Sequence, residues 1–398
     1  MTQTDFAGAA TGRNGTGQAR SSAAAGNGAA GGTWGRRALM AALLAAPGLA
    51  RAQGSVSAQD LLGRTVTLPR PARRVVCMPG RQLAVLNLLH PDPASLLAGW
   101  TGDMRTGAVA EYAAWRRRFP ALDAVPVLGA ATVPDPGTVE KILSLGADLV
   151  LLSRNAVQAS GGPDSAILRS LTEAGLPFAV VDFFASPLRD TVPSLAALGR
   201  LLGREDQAAA FTAFYTETLD RVRARTAGLE ATPRVMMHAH AGGTACCNSP
   251  GQGTFNDFIR MAGGHNIGAD VLPGAIGPLT LEYVLTQDPG VYVATGGSFN
   301  GRGGVLLGAG IEPGPARASL REVVEGAHLQ ALTAVREGRA HAIWHGCNDN
   351  PTHMVAIEAL LRWIHPARAE GIDPRRTLEA LNTRFAAVPM EGTYWVDL

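Results

Sequence analysis

The stretches Thr138-Val-Glu-Lys-Ile-Leu-Ser-Leu-Gly-Ala-Asp-Leu-Val-Leu-Leu152 and Thr280-Leu-Glu-Tyr-Val-Leu-Thr-Gln-Asp-Pro-Gly-Val-Tyr-Val-Ala294 align without a gap. Each starts as a short helix with a carboxylate near its beginning, Glu140 or Glu282, crosses a Gly/Asp/Pro break, and ends in an apolar, β-branched run. One helix–turn–strand unit is thus used twice. A second pair, Arg73-Arg-Val-Val-Cys-Met78 and Pro233-Arg-Val-Met-Met-His238, opens each half with a strand, so the repeat extends to a whole α/β lobe. The expected fold class is α/β, with two similar lobes, central and mainly parallel sheets, and a long helix joining them. Lobes that face each other leave a cleft suited to capturing a small ligand. The matched carboxylates are then left for a partner that touches both lobes.

The N-terminus points to export. Residues 1–35 are rich in Gly, Ala, Thr and Asn, without apolar periodicity, and lead into Arg36-Arg37, the uncharged run Ala38 to Ala50, and Ala50-Arg51-Ala52. This order resembles a twin-arginine export signal cleaved after Ala52, which places the mature protein in the periplasm. The apolar run is shorter than the roughly 20 residues of a membrane span. Expected boundaries are 1–52 for the signal, 53–186 for the N-terminal lobe, 187–228 for a connecting helical segment and 229–398 for the C-terminal lobe. Residues 53–398 exceed one ordinary core of about 100–200 residues, in agreement with two lobes.

The chain carries a formal +2. Arg13, Arg20, Arg36, Arg37 and Arg51 against Asp5 give the leader +4, leaving −2 for residues 53–398. No basic stripe marks a nucleic-acid partner. Of the four cysteines, Cys77 falls in the first strand, where a buried thiol acts as a small apolar residue. Adjacent cysteines such as Cys246 and Cys247 rarely bond to each other, so any bridge is expected to join Cys347 to one of them.

After Asp182-Phe-Phe-Ala-Ser-Pro187 the pattern predicts a helix to about Leu202, a stop at Gly203, and a second helix from about Glu205 to Ala227. Ala208, Phe211, Tyr215, Leu219 and Val222 give the second one an apolar stripe. At about 1.5 Å per residue it is long enough to run along both lobes, and such a strut favours modest closure over a wide hinge swing.

Further segments carry a family resemblance: Asp60-Leu-Leu-Gly-Arg-Thr-Val-Thr-Leu-Pro69 followed by Arg74-Val-Val, Glu140-Lys-Ile-Leu with Asp148-Leu-Val, Leu198-Gly-Arg-Leu-Leu-Gly-Arg204, Met261-Ala-Gly-Gly-His-Asn-Ile267 leading to Leu281-Glu282, Leu361-Arg-Trp-Ile-His-Pro366 and Gly392-Thr-Tyr-Trp-Val396. In this order they resemble a periplasmic substrate-binding protein of the iron-siderophore and vitamin B12 class of ABC importers. The resemblance covers residues 58–398. It implies a cleft between two α/β lobes, no catalysis and no resident cofactor. Its usual cargo is a ferric siderophore, with haem, cobalamin and nickel chelates as alternatives. The implied partners are that small metal chelate and the importer's permease subunits, which Glu140 and Glu282 would meet as the soluble, monomeric protein docks at the inner membrane. Where members often have Pro-Asp before the N-lobe strand, this chain has Gly146-Ala-Asp148, a change confined to a turn.

Ligands of α/β sheets sit beyond the carboxyl ends of strands. The candidate ligand-binding residues are therefore Arg81, Arg154, Asn155, Asp182 and Phe183 in the first lobe, with His238, His240, Thr295, Trp344, His345 and Asn348 in the second. Arginine offers a charged fork to carboxylate or catecholate oxygens, and Trp or Phe a flat apolar wall. Thus Arg81 and Arg154 are expected to face Trp344 and His345. His238, His240 and His345, with the cysteines nearby, are candidate metal ligands, although His-x-His alone lacks the spacing of a structural zinc site. A metal-dependent hydrolase built on His238, His240 and Asp182 is a remote alternative. No nucleophile elbow, phosphate loop or His-Glu-x-x-His accompanies it, and it leaves the twin lobes unexplained. A non-transporting sensor or storage protein of the same fold would have no use for the paired glutamates.

Overall fold

The computed structural model describes residues 54–129, 136–244, 246–298 and 303–398. The export signal and its cleavage after Ala52 lie outside the described residues. Among those described, no helix is long and apolar enough to cross a membrane.

Apolar runs too short for helices pair into two sheets. In the first, four parallel strands lie in the order Leu97–Trp100, Val75–Met78, Leu149–Ser153, Phe178–Val181. In the second, the parallel order is His265–Asn266, Arg234–His238, Val291–Gly296, Ala340–Trp344, and Trp395–Asp397 closes the far edge antiparallel. Numbered along the chain, both lobes therefore read second, first, third, fourth. The repeat extends to register: Val75 stands opposite Leu149, and Val235, at the position of Val75 in the other lobe, stands opposite Val291, the aligned counterpart of Leu149. These strands are buried nearly end to end, as parallel strands covered on both faces require.

The expected helices are present as Pro187–Leu202 and Glu205–Thr226, separated by Gly203 with φ +63°, a left-handed stop that glycine adopts without strain. Glu205 and Asp206 in the first turn and Arg223 and Arg225 in the last match the polarity of the second helix. Its 22 residues span about 33 Å. Phe211, Tyr215, Leu219 and Val222 are buried along its length. The helix is tied to both lobes. Gln207 donates to the Leu88 carbonyl of the first (3.2 Å), whereas the Tyr215 hydroxyl meets the His353 ring (2.7 Å) and Arg221 pairs with the fully buried Glu358 (3.1 Å) of the second.

Cys77 is buried in its strand, as expected. The expected disulfide is corrected: Cys246 bonds to Cys247, and Cys347 is a free, buried thiol. Successive side chains of a strand point to opposite faces. Cys347 belongs to the same core as Met237, Val293 and Ile343, and Cys247 to the one that holds Met236, Tyr292 and Ala294, so the two cysteines lie in cores on opposite faces of the second sheet.

Candidate ligand cleft between the lobes

In both sheets the chain leaves the first strand toward one edge and returns to the third strand on its other side. Ligands of open α/β sheets bind outside the carboxyl ends of strands at such a reversal. There the lobes enclose a cavity of about 340 Å³. The first lobe contributes Arg81, from the turn after Val75–Met78, Asp103, from just beyond Leu97–Trp100, and Glu111 and Trp115, from the Val109–Arg118 helix. Trp344 ends the fourth strand of the second lobe, His345, Asn348 and Asp349 follow it, and Tyr394 precedes the fifth.

Arg81 is the sole cation among the described lining residues, and its charge is already matched. Its Nη1 lies 2.7 Å from Asp349 Oδ2 across the cleft, and its Nε lies 3.4 Å from Asp103 Oδ2. Asp103 is fixed in turn by the amides of Gly80 (2.8 Å) and Arg81 (3.2 Å). Asp349 and Asp103 hold the guanidinium firmly in its charged form. Glu111 is a third carboxylate, its pKa raised by burial against the pull of bonds from the Ala309 amide, Ser298 and Trp344. Those partners belong to the second lobe, so Glu111 also ties the lobes together. His345 is kept neutral: burial, then His240 and Arg81, push its pKa well below the usual imidazole value. Thr295 Oγ1 sits 2.8 Å from His345 Nδ1 and accepts the His240 amide (2.9 Å), while the His240 and His345 rings lie 3.8 Å apart.

Of the sequence candidates, Arg81, Trp344, His345 and Asn348 line this cavity. Asn155, Asp182 and Phe183 line a smaller adjoining pocket that also touches Arg81 and Asp349. Asp182 has a structural task there, accepting the amides of Phe184, Ala185 and Ser186 at 3.4, 3.1 and 2.8 Å. Arg154 lines neither pocket and lies 3.1 Å from Asp190, so the expected pairing of Arg81 and Arg154 against Trp344 does not form. A strand-end arginine within reach of a buried acid satisfies its charge locally. Thr295 and His240 support His345, and His238 is buried against the Tyr292 hydroxyl. Glu140 and Glu282 are both exposed.

The sequence reading missed Asp103, Glu111 and Asp349. Asp349 directly follows the chosen Asn348, and extending the strand-end rule by one residue would have reached it. Asp103 follows a strand whose run, Leu97-Ala-Gly-Trp100, is short and broken by glycine. Nothing in the sequence marks Glu111.

Residues 88–341 match the periplasmic binding protein family. A cobalamin-binding protein of Halobacterium salinarum is 38% identical over 167 residues, which are 40% of this chain and 41% of that protein, so the match spans well under half of the relative. The TroA-like periplasmic binding protein FepB of Veillonella parvula has the same fold, with TM-score 0.78 and 23% identity over 86% of this chain and 99% of that one. So has the molybdate-bound periplasmic binding protein MolA of a Haemophilus influenzae ABC transporter, at TM-score 0.62 and 14% identity over 83% and 97% of the two chains. With a family match over most of its length and the two-lobed fold to accompany it, this chain belongs to the periplasmic binding protein family.

Proposed function

We propose that the protein captures a metal chelate in the periplasm for an ABC-type importer, and that the chelate is neutral or cationic, a corrinoid foremost. The observation that carries this reading is the cleft's charge: three carboxylates line it with one guanidinium, which two of them already engage. An anionic ferric catecholate would face more carboxylates than cations among the described lining residues, whether or not the lobes part. A ligand fringed with amides finds Asn348 at the cavity wall, and Trp115, Trp344 and Tyr394 as flat apolar walls. The cobalamin-binding relative supports the same choice. A ferric siderophore, the usual cargo implied by the sequence resemblance, fits this charge distribution less well, as do the acidic propionates of haem. A whole corrinoid exceeds the enclosed volume, so its binding requires the lobes to stand further apart than here.

The test is a titration of cargo-free protein with a corrinoid, haemin, a nickel chelate and a ferric catecholate, followed by visible absorption and Trp344 fluorescence. Tightest binding of the corrinoid, with an increased radius of gyration in X-ray scattering, is the expected result. Preference for the ferric catecholate overturns the charge argument. Export through the twin-arginine route is part of the proposal: Arg36→Lys with Arg37→Lys is expected to abolish periplasmic accumulation of the mature form, and normal accumulation would refute it.

A further inference from the structure

Apart from the cleft lining, the second lobe holds a cluster that cargo capture does not use. His238 ends its strand with the ring buried, 1% of the residue exposed. Its Nδ1 lies 2.9 Å from the Tyr292 hydroxyl, but its Nε2 has no hydrogen-bond partner among the described residues. A buried polar atom left unsatisfied calls for an explanation. A ring nitrogen of His238 and the sulfurs of Cys246 and Cys247 all lie within 4.8 Å of one another. Cys247 is as buried as His238, whereas Cys246 is partly exposed and provides access. Burial pushes the His238 pKa down to about 4, so the ring is a neutral donor at ordinary pH.

We propose that reduction of the Cys246–Cys247 disulfide opens a site for a thiophilic d10 cation, Zn2+ or Cu+, bound by both sulfurs and His238, with a fourth position open. The reductant is a dithiol. Its two S–H bonds give up two electrons and two protons, its own S–S bond forms, and the protein S–S bond breaks to two thiols. The cation then displaces both thiol protons and meets two thiolates and a neutral imidazole, a soft donor set suited to such metals. His240, two residues beyond His238, has its ring 3.8 Å from that of His345, a residue of the cavity wall. The site is independent of the cargo's identity.

The experiment takes cargo-free protein, reduces it with dithiothreitol under anaerobic conditions, removes the reductant and adds Zn2+ alone. One zinc per reduced chain is expected and none per oxidised chain, with X-ray absorption showing two sulfurs at about 2.3 Å and a nitrogen at about 2.0–2.1 Å. Cys246→Ser with Cys247→Ser abolishes this binding, and His238→Gln weakens it about tenfold or more. Equal zinc uptake by the oxidised protein, or a zinc shell without sulfur, overturns the proposal. Because the absorption spectrum is read on the unaltered chain, it decides the matter even if His238→Gln does not fold.

Discussion

The break between helix and strand is built from different residues in the two lobes, although the backbone turns there in the same way. Gly146 has φ +59°, and Asp288, at the aligned position, has φ +37°. Glycine enters the left-handed region freely; Asp288 is held there by its carboxylate, which accepts the Thr333 amide (2.8 Å) and hydroxyl (2.7 Å). The cleft repeats this contrast on a larger scale. Strand order and register agree between lobes, but the first supplies Arg81, Asp103 and Glu111, whereas the second supplies Trp344, His345 and Tyr394 with a single acid, Asp349. Duplicated topology thus fixes where a ligand sits, and the residues at the strand ends, which the fold constrains least, decide what it is.

The lobes also differ in buried histidines, and acid is expected to separate them most strongly. His238 and His353 belong to the second lobe, are almost fully buried, and have pKa values pushed down by burial to about 4 and about 3. Both imidazoles are neutral when folded but take up a proton near pH 6.5 when unfolded, so the unfolded state binds more protons below that pH. The stability they protect is full above pH 6.5 and is lost as pH falls toward those folded values. At pH 5 each is expected to cost roughly 2 kcal/mol. Burial raises the pKa of Glu111 and Glu358, which act with opposite sign between the ordinary carboxylate range and their raised values and offset part of the loss. Hydrogen exchange at pH 7 and pH 5 should show protection lost first in the second lobe. Uniform loss, or a loss unchanged in His238→Gln with His353→Gln, would break the contrast.

At the cleft the two sides are separable by substitution. Trp344→Ala is expected to weaken cargo binding about ten- to a hundred-fold through lost stacking area. Arg81→Ala distinguishes the charge readings by sign. With the guanidinium gone, Asp103 and Asp349 tighten a cationic chelate and leave a neutral one nearly unchanged, whereas an anionic chelate weakens about tenfold or more. Isothermal titration with a corrinoid and with a ferric catecholate checks both.

Fold and site were not equally legible in the sequence. The repeat, the helix pair and the Gly203 stop are local patterns with fixed physical causes, and each could be read without knowing its neighbours. The cleft depends on what meets across it. Arg81 was identifiable as a strand-end residue, but its pairing with Asp349 joins positions 268 apart, and only the closed fold brings them to 2.7 Å. Glu111 lies on a helix whose sequence gives no amphipathic signal, and its partners come from the other lobe. The Cys246–Cys247 bond escaped because a general rule about adjacent cysteines was applied without the sheet that separates Cys347 from both.

Glu140 and Glu282 are the one pair of acidic residues that the aligned stretches keep alike. Each helix runs back against the strand that follows it, so helix starts lie at the carboxyl ends of the strands, the end that carries the cleft. A shared macrodipole role explains them poorly. Glu282 is in the first turn of Leu281–Gln287, but Glu140 is the fifth residue of Pro136–Ser144, beyond the reach of that effect. We expect Glu140→Ala with Glu282→Ala to leave cargo affinity unchanged and to lower uptake about tenfold, since two exposed ion pairs contribute about 0–1 kcal/mol each. Equal losses from the single substitutions support symmetric docking. Unchanged uptake in the double variant removes the docking role.

The smallest effect returns to the helix–strand break. A Cβ at position 146 meets nothing closer than Arg74 Nε at 3.9 Å, so Gly146→Ala is opposed by backbone conformation alone and should destabilise the protein by about 1 kcal/mol. Asp288→Gly relieves the same strain in the second lobe but removes two exposed hydrogen bonds to Thr333, and these opposing changes should leave stability within about 0.5 kcal/mol of the parent. Asp288→Ala keeps the strain and loses the bonds, so it should cost more than Asp288→Gly and at least as much as Gly146→Ala. Urea unfolding of the three variants tests that ranking. If Asp288→Ala proves no worse than Asp288→Gly, the Thr333 bonds are not what holds Asp288 left-handed, and the two breaks are alike in shape without being alike in cause.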